Sequence, residues 1–199
     1  MAKASPNDRV NLAHSSVLLI DHNQQSLDML SSIFQGFGVR EQNKCGNTPE
    51  AQRIVQRRSI DLILIDCSMP GMDGCDFIRW LRRETPHPLC YTPVIMLTGH
   101  AAQSKIGKSR DCGASFIVAK PLTPSVLLQR ILWLGADERS FIECPTYVGP
   151  DRRVRNFGPP LGMTGRRSGD LSEHVGEAVE ANMDQAAIDM MFKPQRVAL

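Results

Sequence analysis

"LILIDCSMPGMDG", Leu62 to Gly74, decides the fold. An unbroken apolar run ends on a carboxylate, Asp66, and is followed by Pro70, Gly71 and the Asp73-Gly74 pair. A run without polar alternation suits a strand buried on both faces, and Asp73 or Gly74 opens a helix carrying Phe77, Ile78 and Leu81. Working outward, "VLLID" (17–21), "PVIML" (93–97) and "FIVAK" (116–120) repeat the pattern, and a further strand is expected at about Val39 to Cys45. Helical spacing fills the intervals. Leu27, Leu30, Ile33 and Phe34 line up over Gln24 to Gln35, and Thr48 caps a helix running to Arg57. A weaker helix covers about Ala101 to Asp111 and ends at Gly113; Thr123 caps another with Val126, Leu127, Ile131 and Leu134. The expectation is an α/β fold: a doubly wound five-stranded parallel sheet with five helices, plus an irregular arginine-rich C-terminal extension.

Composition narrows the class. A chain of 199 residues holds one ordinary domain of roughly 100–150 residues and a remainder. A net charge of +2 argues against a nucleic-acid binder over the whole surface, so no DNA partner is expected. The six cysteines form no C-x-x-C pair and read as reduced, mostly core residues. The N-terminus lacks a basic-then-apolar leader, and the apolar runs fall far short of the ~20 residues of a membrane helix. A soluble, cytoplasmic protein without membrane insertion is expected.

In a parallel sheet the carboxyl ends of the strands form the site. Asp21, Asp66, Thr98 and Lys120 stand at four such ends, so two carboxylates, a hydroxyl and an ammonium converge in one crevice. "VLLIDHN", "LILIDCSMPGMDG", "PVIMLTG" and "AKP", in that order, resemble the receiver domain of two-component response regulators, the CheY-like fold, over about Ser15 to Ala136. The resemblance implies that Asp66 is the phosphoacceptor, Asp21 an acidic-pocket residue that with Asp66 holds Mg²⁺, Thr98 the switch hydroxyl and Lys120 the ammonium pairing with the acyl phosphate. A histidine kinase is the implied phosphodonor. Two positions depart from the family. His22 replaces the second acid, and a neutral imidazole is a poorer ligand for hard Mg²⁺. Ile117 replaces the sensing aromatic, with Phe116 beside it.

The expected organisation is a tail (1–14), a receiver (15–137), an arginine-rich arm (138–171) irregular without ligand, and an amphipathic tail (172–199). Arg152, Arg153, Arg155, Arg166 and Arg167 stand in the arm against Asp151 and Asp170. A linker needs only solubility, whereas arginine forks bond bidentately to phosphate or to the O6 and N7 edge of guanine, and aspartate accepts from guanine N1 and N2. "RSGD" (167–170) also has the R-x-x-D spacing of cyclic di-GMP sites.

A receiver followed by "YVGPDRR" and a Gly/Pro-rich arginine arm resembles the Cle family of CheY-like cyclic di-GMP effectors. That resemblance implies an arm folding around cyclic di-GMP as a stacked dimer, and a bound form that engages the flagellar motor switch (a FliM-like partner) at the flagellar base to alter motility and surface attachment. The implied contacts are Asp151, Arg152, Arg153, Arg155, Arg166, Arg167 and Asp170; Tyr147 either stacks on a base or tucks against the receiver.

Over Glu173 to Phe192, Val175, Val179, Met183, Ala186, Met190 and Met191 approximate one helical face, expected to dock on the receiver or on a partner; "QAAIDMMF" faintly resembles the receiver-binding peptide of switch proteins. Two other functions remain open: a phosphorylation-driven single-domain regulator or phosphate shuttle, and an RNA-binding arm. With no catalytic constellation beyond the receiver pocket, the chain reads as a binding module, not an enzyme.

Overall fold

The computed structural model describes residues 12–99, 103–137 and 139–152, together with Asp184, Gln185 and Ile188. Five parallel strands, β1 (Ser16–Ile20), β2 (Glu41–Cys45), β3 (Leu62–Asp66), β4 (Val94–Thr98) and β5 (Phe116–Ala119), lie in the order β2-β1-β3-β4-β5. Helices α1 (Gln24–Gly36), α2 (Thr48–Arg57), α3 (Gly74–Glu84), α4 (Gln103–Asp111) and α5 (Pro124–Gly135) make the crossovers. The expected doubly wound α/β sheet is therefore present. β1, β3 and β4 are buried along their whole length, which is why their sequences carry no alternation. β2, at the edge beside β1, reads "EQNKC" and buries Cys45 alone. Residues from both faces of the sheet, among them Leu18, Leu30, Phe34, Ile63, Phe77 and Leu97, form one apolar core.

Side-chain caps set the helix starts. Asn23 accepts from the amides of Gln25 and Ser26, Asp73 from Asp76 and Thr123 from Val126. Helix α2 corrects the expected cap: Asn47, not Thr48, accepts from the Glu50 amide, and Thr48 is the first helical residue, buried with its hydroxyl donating to the Met72 carbonyl.

Within the arm expected to be disordered without ligand over 138–171, residues 141–150 form regular structure, while 153–171 lie outside the described residues. β6 (Phe141–Cys144) and β7 (Tyr147–Pro150) pair antiparallel as a hairpin beside α3. Phe141 meets Tyr91 edge to face at 4.6 Å, and the Arg82 guanidinium lies 5.3 Å from its ring centre. Arg83 donates to the Pro145 carbonyl at 2.8 Å. Arg82 is the buried post of this contact, donating to the carbonyls of Cys90 (2.7 Å), Thr92 (2.8 Å) and Gly113 (3.2 Å). Burial lowers its pKa to about 10, which leaves it charged at neutral pH. On the other side Gly113, at φ +98°, lets the hairpin close in: a Cβ there would sit 2.5 Å from the Val148 carbonyl oxygen. Among the described residues, no helix is long and apolar enough to cross a membrane.

Candidate functional site

Asp66 is the last residue of β3, and Asp21 follows β1 directly; both are buried, at 4% and 0% exposure. Lys120, following β5, places its Nζ 2.8 Å from Asp21 Oδ2 and 3.0 Å from Asp66 Oδ1. The groups meet because parallel strands end at the same level and the long Lys120 side chain reaches across the end of β4 to β3 and β1. The Lys120 amide donates to the Thr98 carbonyl and the Cys67 amide to Leu97, so the chain leaves the sheet in register at the site. Thr98, at the end of β4, is buried on the same rim. Burial by itself would lower the Lys120 pKa; hydrogen bonds to Asp21 and Asp66, with their charge, outweigh it and raise the pKa above the ordinary value. The expected quartet from four strand ends is thus brought to one rim.

Gly74 accounts for the glycine that follows Asp73 in the motif. A Cβ at this position would lie 2.5 Å from the Asp66 carbonyl oxygen, so a glycine lets the start of α3 press against the end of β3. Asp73 caps that helix and Gly71 takes φ +80° in the turn before it. The motif is a packing device for Asp66 as much as a chemical one.

Asp21, His22 and Asp66 offer ligand atoms lying within 4.8 Å of one another. His22 is half-exposed, with Nδ1 3.7 Å from Asp21 Oδ1 and 3.8 Å from Asp66 Oδ2. Two buried carboxylates suit a hard divalent cation such as Mg²⁺, while the imidazole is the weak member of the set. Phe116 packs edge to face on Trp133 of α5 at 4.6 Å, while Ile117 is fully buried.

Of the expected arm contacts, Tyr147, Asp151 and Arg152 are among the described residues. Tyr147 tucks against the folded domain: it is 4% exposed, its hydroxyl donates to the Pro150 carbonyl at 2.6 Å, and burial pushes its pKa up to about 12. Arg152 lays its guanidinium 3.9 Å from the centre of that ring and pairs with Asp111 at the end of α4. The Asp151 amide donates to Ser140. Arg153, Arg155, Arg166, Arg167 and Asp170 lie outside the described residues, as do Val175, Val179, Met183, Ala186, Met190 and Met191 of the tail.

Two structural partners were not singled out from the sequence. Asp111 appeared there only as a helix end, and Arg82, one of three arginines in α3, was not named. Nothing in their local sequence marks a contact with residues so distant in the chain. Gln185 and Ile188 stand off the apolar stripe but fall in the "QAAIDMMF" segment.

The chain matches the family model for the response regulator receiver domain over residues 17–132. It belongs to that family, and its place is in two-component signalling. It is 29% identical over 115 residues to the DNA-binding response regulator MtrA of Mycolicibacterium smegmatis, a match covering 58% of this chain and 48% of MtrA. The chain thus spans about half the length of that relative. Chemotaxis protein CheY4 of Vibrio cholerae superposes with a TM-score of 0.56 at 28% identity, covering 60% of this chain and 97% of CheY4. The receiver domain of the Arabidopsis thaliana histidine kinase CKI1, solved with Mg²⁺, gives 0.54 at 25% identity and covers 63% and 96% respectively.

Proposed function

We propose that this protein is a non-enzymatic cyclic di-GMP effector: the arginine arm after the hairpin closes on the dinucleotide, and the bound form engages the flagellar motor switch to control motility and surface attachment. The observation that carries the reading is how the arm is rooted. Its first arginine, Arg152, is stacked on Tyr147 and paired with Asp111, so the arm leaves the receiver at α4 through a guanidinium already in the stacked, carboxylate-paired geometry that guanine recognition uses. Arg153, Arg155, Arg166 and Arg167 supply the forks for phosphate and for guanine O6 and N7; Asp151 and Asp170 accept from guanine N1 and N2. When bound, the ligand contributes two phosphates and two guanine faces. The chain contributes charge-assisted donors and the fixed hairpin from which they start. An arm that orders on binding loses about 1–2 kcal/mol of backbone entropy per residue, so several such contacts must form together.

The test is retention of labelled cyclic di-GMP by the full chain against a hundredfold excess of GTP, cyclic GMP or a short RNA. Cyclic di-GMP alone should displace the label. Displacement by RNA with a steep salt dependence would make the arm an RNA-binding segment instead.

A second reading rests on the pocket. Lys120 between Asp21 and Asp66 is the arrangement that offsets charge on a phosphoryl group being transferred to the Asp66 carboxylate; Asp21 and Asp66 would hold Mg²⁺, which would supply further positive charge. In this reading a histidine kinase drives the output and the arm only localises the protein. Asp66→Asn separates the two: the effector keeps its cyclic di-GMP affinity within about twofold, a difference worth under 0.5 kcal/mol. Loss of both phosphorylation and switch engagement with ligand affinity intact would favour the second reading.

A further inference from the structure

β5 is the open edge of the sheet, next to β4 and with no strand beyond it among the described residues. In a parallel ladder, alternate residues turn their amide and carbonyl groups to the same side. The Lys120 amide donates inward to Thr98, so the Ala119 amide and the Ile117 carbonyl face outward. Such groups are where a sheet takes on another chain.

Gln185 meets both. Its Oε1 accepts from the Ala119 amide at 2.8 Å, and its Nε2 donates to the Ile117 carbonyl at 3.3 Å. One carboxamide therefore presents the donor and the acceptor that a neighbouring strand's peptide group would present. Three residues on, Ile188 is 0% exposed and belongs to the apolar core cluster. Its amide donates to the Asp184 carbonyl at 3.1 Å, a helical turn, so Gln185 and Ile188 lie on one face. Two independent features, a polar bracket on the strand edge and a buried aliphatic anchor, thus hold one turn from far along the chain.

We propose that the outer edge of β5 is a docking seat for a helical turn carrying glutamine and, three positions later, an aliphatic residue, and that Asp184, Gln185 and Ile188 occupy it in cis as a resident competitor. A tethered occupant acts at an effective concentration that can reach the millimolar range, so a partner helix of the same chemistry gains the seat when the tail is displaced. The seat begins one residue before Lys120, which places its occupancy next to the phosphoacceptor pocket. This inference is independent of the ligand assigned to the arm.

The test uses the full chain, its Gln185→Ala variant and its Gln185→Ala, Ile188→Ala variant, each mixed with a labelled peptide of sequence "MDQAAIDMMF" (183–192). The double variant should bind the peptide at least tenfold more tightly than the native chain. Its Ala119 amide should also exchange with solvent at least tenfold faster before peptide is added, while β4 amides stay protected. The peptide carrying the same two substitutions should not bind. If loss of Ile188 unfolds the domain, Gln185→Ala, which removes no buried apolar group, decides by the Ala119 exchange rate. Equal exchange at Ala119 in all three chains, or equal peptide affinity, overturns the proposal. Protection at Ala119 that rises with protein concentration would assign the turn to a second copy and overturn the occupation in cis.

Discussion

Lys120 holds its charge between two carboxylates, and the sign of its pKa shift fixes how stability responds to pH. The folded value is raised above 10.5, so more protons are bound in the folded state as pH climbs past the unfolded value. The contribution is fully present below about pH 10 and is lost as pH rises through the folded pKa. The stability difference between the native chain and Lys120→Met, followed by urea denaturation, should therefore stay flat from pH 7 to about 10 and change above it. A difference that already varies near pH 7 would contradict the assignment. Arg152 gives a second residue-scale expectation. Its pairing with Asp111 holds the guanidinium in place on the Tyr147 ring, so Asp111→Asn should lower cyclic di-GMP affinity by about 1.4- to fivefold, the 0.2–1 kcal/mol of a part-exposed pair. Unchanged or raised affinity would mean that Asp111 competes with the ligand for the arginine instead.

At the scale of elements, the β6–β7 hairpin fixes where the arm starts, and Gly113 lets it sit there. Gly113→Ala adds a Cβ 2.5 Å from the Val148 carbonyl oxygen at a φ of +98° that side chains avoid. Denaturation should report a loss of about 1–3 kcal/mol, with faster amide exchange in 141–150 than in β1 or β3. The core strands and the strand-end quartet were legible because burial on both faces writes continuous apolar runs, and because each charged residue directly follows such a run. The hairpin was not. Its strands have four residues each, Pro145-Thr146 is not one of the strong two-residue hairpin turns, and its anchors, Arg82 and Tyr91, come from about fifty to sixty residues upstream. The α2 cap was misplaced by one residue because Asn47 and Thr48 are both good capping types, and tertiary burial of Thr48 decides between them. The seat of Gln185 on β5 was not legible either, although "QAAIDMMF" stands out in the sequence, because a single turn anchored by one side chain leaves no periodic stripe.

For the whole molecule, three parts meet on one domain: the acidic pocket at the strand ends, the hairpin that roots the arm beside α3 and α4, and the tail turn on the β5 edge. In the proposed reading, such separate positions would let ligand, phosphoryl group and partner bind at once, each altering the others only through differential affinity. The most direct measurement is a calorimetric titration of cyclic di-GMP into the full chain at physiological salt, beside an Arg166→Ala, Arg167→Ala variant. Saturable binding is expected, selective over GTP and cyclic GMP and weakened at least a hundredfold in the variant. No heat and no binding by the native chain, or equal binding by both chains, would contradict a cyclic di-GMP effector.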